Sequence, residues 1–426
     1  MPPSTQTGGG LLRRACTRPR TQAWNARQHA ALWVALRRHH AAVVVGAGPA
    51  GIAAVGNLLE HLPADAGKIA WVDSTGFSAG DIRRYGEVPS NTKAALFLQY
   101  ARALEPFRQI CDASPEPNPV RAIEALDQEK TCSLGLAGNM LRYLTNGLTS
   151  HERIEATPGF VTGARWLKES SQWQLDVAAR GPSTTGVSAQ ISSPLVVYCI
   201  GAKPNYLPGV RGAHVLPISR ALSPKYLASN INPDKPKEVL VIGGSHTAIL
   251  VLKNLCNLAW TTHPKLTVKW ATRSRKLKYA VQQDGWILYD NTGLKGEAAD
   301  FAREYLDGDK VESSDASRVI TKVVDLSQPS HGVDSLLVEA TKRDQLIVQA
   351  IGFTPRQLPR GSLDFNHETG QFMLQPGLYG AGIGFPERMT DPAGNVEYAV
   401  GFWKFMRFLK RVVPEWVAAH YPNKGA

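Results

Sequence analysis

Two stretches of the chain hold residues whose type and spacing suit nucleotide chemistry. The first runs Val43-Val44-Val45-Gly46-Ala47-Gly48-Pro49-Ala50-Gly51, three apolar residues leading into G-x-G-x-x-G. Gly46 permits a tight turn, Gly48 lets the backbone approach a pyrophosphate, and Gly51 lets the next helix pack on the strand. Pro49 and Ala50 open that helix, whose free N–H groups and positive dipole end suit a phosphate. The stretch 68–73 then ends in Asp73, 22 residues after Gly51. A carboxylate there accepts hydrogen bonds from both ribose hydroxyls of an adenosine.

The second stretch, Val239-Leu240-Val241-Ile242-Gly243-Gly244-Ser245-His246-Thr247-Ala248, has the same outline with Ser245 where the middle glycine belongs. Ser245 is small and brings a hydroxyl donor, and Ala248 is an accepted substitute for the third glycine. Thr247 stands where a hydroxyl can cap a helix or touch phosphate. His246, inside the turn, reads as a solvent-facing loop residue, with a contact to phosphate as the alternative. The next strand, 266–272, is followed by Arg273-Ser274-Arg275-Lys276, a basic cluster where the first unit has an acid. Arginine there can grip a 2′-phosphate bidentately, so this unit suits NADPH and the acid-tipped unit suits FAD.

With two such units, the sequence resembles the flavoproteins with two dinucleotide-binding domains. That group includes pyridine nucleotide-disulphide oxidoreductase-like proteins and the flavin-containing and N-hydroxylating monooxygenases. Residues 195–204, with Gly201, look like the family's ATGxxP strand and turn, and residues 345–355, with Gly352, look like its second copy. The two bracket the second unit, as where the family's chain leaves and re-enters the FAD domain. Residues 377–383, with Gly380 and Gly382, look like the last FAD motif, although Ile383 stands where an Asp is usual. Residues 83–93 are similar to the N-x-x-K stretch of flavin-containing monooxygenases. The resemblance implies that Asn91 lies at the reactive edge of the flavin, with Thr92 and Lys93 beside it. An amide there can hold developing charge while water is excluded. A compatible reading makes Asn91 or Ser90 the cap of a helix starting at Ala94. The F-x-G-x-x-x-H signature of flavin-containing monooxygenases is absent, and so is a C-x-x-C among five scattered cysteines, which argues against a simple disulphide reductase.

The elements that must position these residues form an α/β protein. We expect two Rossmann-like domains, the NADPH domain (207–343) inserted in an FAD domain (41–206 with 344–426), and a small β-meander over 166–177 and 186–198 with a loop at 181–185. Residues 94–148 read as helical, as do 293–306 and about 396–411. The charge-free run 41–59 has the length of a membrane span, but Gly46, Gly48, Pro49 and Gly51 inside it make it a strand, turn and helix. Residues 1–40 carry seven arginines and no acid; removing them from the net charge of +12 leaves +5. That balance argues against nucleic-acid binding. The tail reads either as a transit peptide, with a mitochondrial location, or as an over-extended terminus on a cytoplasmic protein. No histidine or cysteine spacing suggests a metal.

The expected activity is NADPH-dependent reduction of FAD, followed by hydroxylation of a small nucleophile with molecular oxygen. Two alternatives stay open at this point: a reductase passing electrons to a quinone or protein, and a flavoprotein that senses redox state without turnover. The sequence is silent on substrate identity and oligomeric state.

Overall fold

The computed structural model describes residues 37–113, 116–179, 187, 189–208, 214–273, 276–324 and 332–422. Most of the basic tail, the loop 181–185, Ser274 and Arg275 therefore lie outside the described residues.

Strand β1 (Ala42–Val45), helix α1 (Pro49–His61) and strand β2 (Ile69–Asp73) make the first βαβ unit. Every residue of both strands is buried, as the unbroken apolar runs require of the middle of a parallel sheet. That sheet has five strands in the order Leu378–Gly380, Val196–Tyr198, β1, β2, Ile154–Pro158, all parallel. Strand β3 (Pro89–Lys93) leads directly into helix α2 (Ala94–Ala101). The second unit is β4 (Lys237–Ile242), α3 (His246–Thr261) and β5 (Leu266–Thr272). Its parallel sheet runs Ile320–Val324, β5, β4, Leu346–Gln349. Helix α4 (Gly296–Phe301) follows, and near the C-terminus strand β6 (Val396–Ala399) precedes helix α5 (Phe402–His420).

The first sheet thus takes strands from both sides of the second in sequence. Between the sheets run the short strands Ala202–Pro204 and Phe353–Pro355, which pair antiparallel. One face of the first sheet buries Val44 and Trp71 against α1, α2 and α5; the other buries Val43, Val45 and Val72 against Trp173, Leu175 and Val177 of the meander. The second sheet packs Val239, Val241 and Trp270 against α3, and Leu240 and Ile347 against Leu336 and Leu337. Among the described residues no helix is long and apolar enough to cross a membrane.

Four expectations are corrected. The helix expected from about Val396 is a strand first: Val396, Tyr398 and Val400 are exposed while Glu397 and Ala399 are buried, a period of two, and β6 pairs with Glu387–Thr390. The helix begins only at Phe402, after Gly401 at φ 149°. The expected 94–148 helix is four shorter ones, interrupted by a strand at Thr131–Ser133 that pairs with β3. Of the run 186–198, Ala189–Ser193 joins the meander but Val196–Tyr198 enters the parallel sheet, the two divided by Pro194. The 293–306 helix starts at Gly296 and widens to a π turn over Ala302–Leu306.

Candidate functional site

The two glycine turns are built on one plan. Gly46 N–H donates to the Val72 carbonyl (2.7 Å), and Gly243 N–H to the Ala271 carbonyl (3.0 Å). The indole of Trp71 donates to the Gly46 carbonyl (3.0 Å), and that of Trp270 to the Gly243 carbonyl (2.7 Å). Gly46 has φ 108° and Gly243 φ 138°, conformations that disfavour any side chain. A Cβ on either would lie 2.3 Å from a neighbouring strand's carbonyl oxygen, that of Cys199 or of Ala350. Cys199 and Ala350 directly follow the strands Val196–Tyr198 and Leu346–Gln349, so the end of each ATG-like stretch forms the wall behind one glycine turn.

Ser245 loses its oddity in this frame. It is the residue before α3, with φ −113° and ψ −175°, and its counterpart Gly48 has φ −81° and ψ −176° before α1. Both are extended conformations open to any residue, so a serine fits without strain. Neither helix has a side-chain cap or an acid in its first turn. Their leading N–H groups are available to an anion. A Cβ on Gly48 would meet nothing within 4 Å, and Ser245 is exposed, so a phosphate chain has room at both turns. Pro49 and Ala50 form the first turn of α1, and Thr247 and Ala248 that of α3.

The ends of β2 and β5 differ. The Asp73 carboxylate is buried and accepts from Ala47 N–H (2.9 Å), Thr75 N–H (2.8 Å), the Thr75 hydroxyl (2.7 Å) and Phe77 N–H (3.0 Å). It therefore braces the first glycine turn. At the second unit the residue two beyond the tryptophan is Thr272, whose hydroxyl lies 2.6 Å from where a Cβ on Gly244 would sit. Sequence reading set Arg273 in the acid's place; the structure puts Thr272 there and the exposed Arg273 one residue beyond. The repeated Trp-x-Asp and Trp-x-Thr was the signal that could have found it.

Gly201 and Gly352 occupy the turns between the switch strands and the antiparallel ribbon. Gly382 reaches the first site: its Cβ would stand 2.6 Å from that of Ala50. Gly380 ends its strand beneath Phe385. Ile383 is exposed beside them.

Asn91 lies within β3, exposed, its side-chain oxygen accepting from the Thr92 hydroxyl (3.3 Å). It is not a helix cap, and neither is Ser90, which is buried and accepts from Thr92 N–H (2.8 Å). The residue before α2 is Lys93, whose ammonium pairs with Glu129 at 2.6 Å. Helix α2 ties this strand to the first glycine turn: the Tyr100 hydroxyl donates to the Pro49 carbonyl (2.6 Å). His246 is the first residue of α3 rather than a solvent-facing loop residue. Burial, with Lys295 close by, pulls its imidazole down to about 4, so it is neutral at pH 7, and its Nδ1 is buried without a hydrogen-bond partner. Among the described residues no His, Cys, Asp and Glu group could hold a metal ion. The described cysteines (Cys111, Cys132, Cys199, Cys256) are all free, and burial raises each thiol above its usual range.

No family model matches the chain. It is 45% identical over 397 residues to Monooxygenase AgnR1 of Paecilomyces divaricatus, covering 89% of this chain and 98% of that protein. Among solved structures it is similar to an ornithine N-hydroxylase of Kutzneria sp. 744 (TM-score 0.54, 14% identity, 89% and 99% of the two chains). A flavin monooxygenase from Stenotrophomonas maltophilia matches with TM-score 0.50 and 13% identity over 89% and 98%. The bacillithiol disulfide reductase of Staphylococcus aureus matches with TM-score 0.51 and 10% identity over 90% and 99%. These likenesses fix the fold as that of the two-dinucleotide-binding flavoproteins. Paired glycine turns on two parallel sheets, and a relative aligned along almost its whole length, place the chain in the monooxygenase family of AgnR1.

Proposed function

We infer that the protein binds FAD at the Gly46 turn and NADPH at the Gly243 turn, and hydroxylates a small nucleophilic substrate such as an amine or sulphide. The observation that carries this is the duplication of one turn geometry with opposite ends: a buried carboxylate, Asp73, after the first tryptophan, and Thr272 followed by a cation, Arg273, after the second. The cofactor-binding regions are then 41–206 with 344–426 for FAD and 207–343 for NADPH.

When bound, the flavin supplies two-electron exchange with NADPH and activation of oxygen, so that one oxygen atom enters the substrate and the other leaves as water. The chain does the rest. Helix N-termini at Pro49 and His246 neutralise the phosphates. The Tyr100–Pro49 bond and the packing of Phe402 on Phe97 and Tyr100 (ring centroids 5.2 and 5.9 Å) hold the Asn91 strand against the first turn. From there the Asn91 amide is the group we assign to the reacting edge, donating a hydrogen bond where negative charge develops.

Arg273→Ala tests the assignment of the second site. Losing a charge-assisted contact to a 2′-phosphate costs about 1.5–3 kcal/mol, so KM for NADPH should rise roughly 10- to 100-fold while that for NADH changes little. Equal effects on both nucleotides would remove Arg273 from the site.

A further inference from the structure

One loop of the second unit's segment meets β6, α5 and the strand that carries Asn91. It runs from Tyr289, which has φ 57°, to the start of α4. At its centre, Asn291 donates to the buried Glu397 carboxylate through its backbone N–H (2.9 Å) and its amide (3.3 Å), and the Thr292 hydroxyl donates to the other oxygen. Lys404 donates to the Asn291 side-chain oxygen (2.6 Å) and pairs with Asp290 (2.5 Å), while Lys295 pairs with Asp290 from the loop itself. Val400 N–H donates to the same Asn291 oxygen (3.3 Å). Glu397 lies on β6, and Lys404 in the first turn of α5, more than 100 residues away in sequence.

The charges balance, two carboxylates against two ammonium groups. Burial opposes ionisation of Asp290, but Lys295 and Lys404 still hold its carboxyl below the usual range. A closed network of this kind fixes geometry more than it adds stability, since each charge is desolvated to form it. Removing one partner strands the others.

The loop's far end reaches the chemistry. Just past the loop, Glu297 of α4 pairs with Lys253 of α3, the helix that opens at the second glycine turn. A Cβ on Gly296, which has φ 52°, would lie 3.6 Å from the Ser90 carbonyl oxygen, on the strand that carries Asn91. Helix α5, anchored by Lys404, presents Phe402 to α2, the continuation of that strand.

We propose that the 289–296 loop is a strut setting the placement of the second nucleotide turn against the Asn91 strand, with Glu397 and Lys404 as positioning residues for hydride delivery. This rests on the two-cofactor reading above. Because a misplacement near 1 Å can cost on the order of 100-fold in rate, the strut should act on rate rather than on affinity.

The test uses the purified flavin-containing protein and its Glu397→Ala, Glu397→Gln and Thr292→Val variants. Anaerobic stopped-flow mixing with NADPH gives the rate of flavin bleaching; mixing with dithionite gives a control that needs no nucleotide turn. NADP+ titration gives affinity, and hydrogen exchange of residues 289–296 without nucleotide reports the loop itself. For Glu397→Ala we expect faster exchange in the loop and NADPH bleaching slowed about tenfold or more, with NADP+ affinity, flavin content and dithionite bleaching within about twofold. Glu397→Gln keeps an acceptor oxygen and should recover part of the rate. Should Glu397→Ala not fold, Thr292→Val, which removes one hydroxyl, carries the same comparison at smaller amplitude. A loosened loop with unchanged bleaching overturns the strut, as does a loss of NADP+ affinity in proportion to the rate. Wild-type protein that holds flavin but does not bleach with NADPH overturns the reading beneath it, and is told apart because it needs no variant.

Discussion

Gly51→Ala should give a protein without bound flavin and several degrees less stable, while Ala248→Gly, its mirror in the second unit, should be mild. A Cβ on Gly51 would lie 1.9 Å from the Gly46 carbonyl oxygen and 2.8 Å from its carbon, both backbone atoms. The Gly46 carbonyl is also the acceptor of the Trp71 indole, so moving it breaks that bond and opens the turn. Overpacking of this kind costs about 1–3 kcal/mol, and the shift falls on the turn we assign to the pyrophosphate. The second unit already carries the methyl at Ala248, buried and 3.3 Å from where a Cβ on Gly243 would stand. Ala248→Gly therefore loses only helix propensity and a little packing, about 1 kcal/mol. Flavin content by absorbance and urea unfolding measure both; a Gly51→Ala protein that retains flavin at wild-type stability contradicts the turn's role.

Asp73→Ala carries the second large effect. Its carboxylate takes three backbone N–H groups and one hydroxyl, from Ala47 in the glycine turn and from Thr75 and Phe77 beyond the strand. Without it, those donors are left at a position where Asp73 as a whole is only 5% exposed. Each orphaned buried donor costs about 1–3 kcal/mol, so we expect a loss of roughly 3–5 kcal/mol and of flavin binding together. Thr272→Ala removes no carboxylate from the second turn and should cost less than half as much. Thermal and urea unfolding of the two variants, side by side, decide it; equal losses would mean the acid has no special place in the first unit.

Much of this site was legible in the sequence because its determinants are local. A strand, a glycine turn and a helix follow each other within about ten residues in each unit, and the burial of Val43–Val45 and of Val239–Ile242 follows from their composition alone. Gly201 and Gly352 were legible for the same reason, each marking the end of a short apolar run. Ser245 departs from the motif without harm because a motif records residue types, whereas the turn demands a backbone conformation; at that position it is one any residue adopts. Val396–Ala399 was misread because a four-residue strand next to an amphipathic helix blurs the period. Thr272 was missed in favour of the arginine cluster, since charge is conspicuous and alignment to a tryptophan is not. The Glu397–Asn291 network had no local trace at all. Its partners are separated by 106 residues and meet only through the packing of the two sheets' segments.

The most direct test of the account is anaerobic mixing of the purified protein with NADPH, followed in the visible spectrum, then admission of oxygen. The protein should carry oxidised flavin absorbance and lose it with NADPH, faster than with NADH at equal concentration. Oxygen admitted with an amine or sulphide substrate should then restore it, one oxygen atom entering the substrate and the other leaving as water with the electrons taken from NADPH. A protein that holds flavin but keeps its colour with both nucleotides contradicts the claim that the Gly46 and Gly243 turns serve one redox reaction.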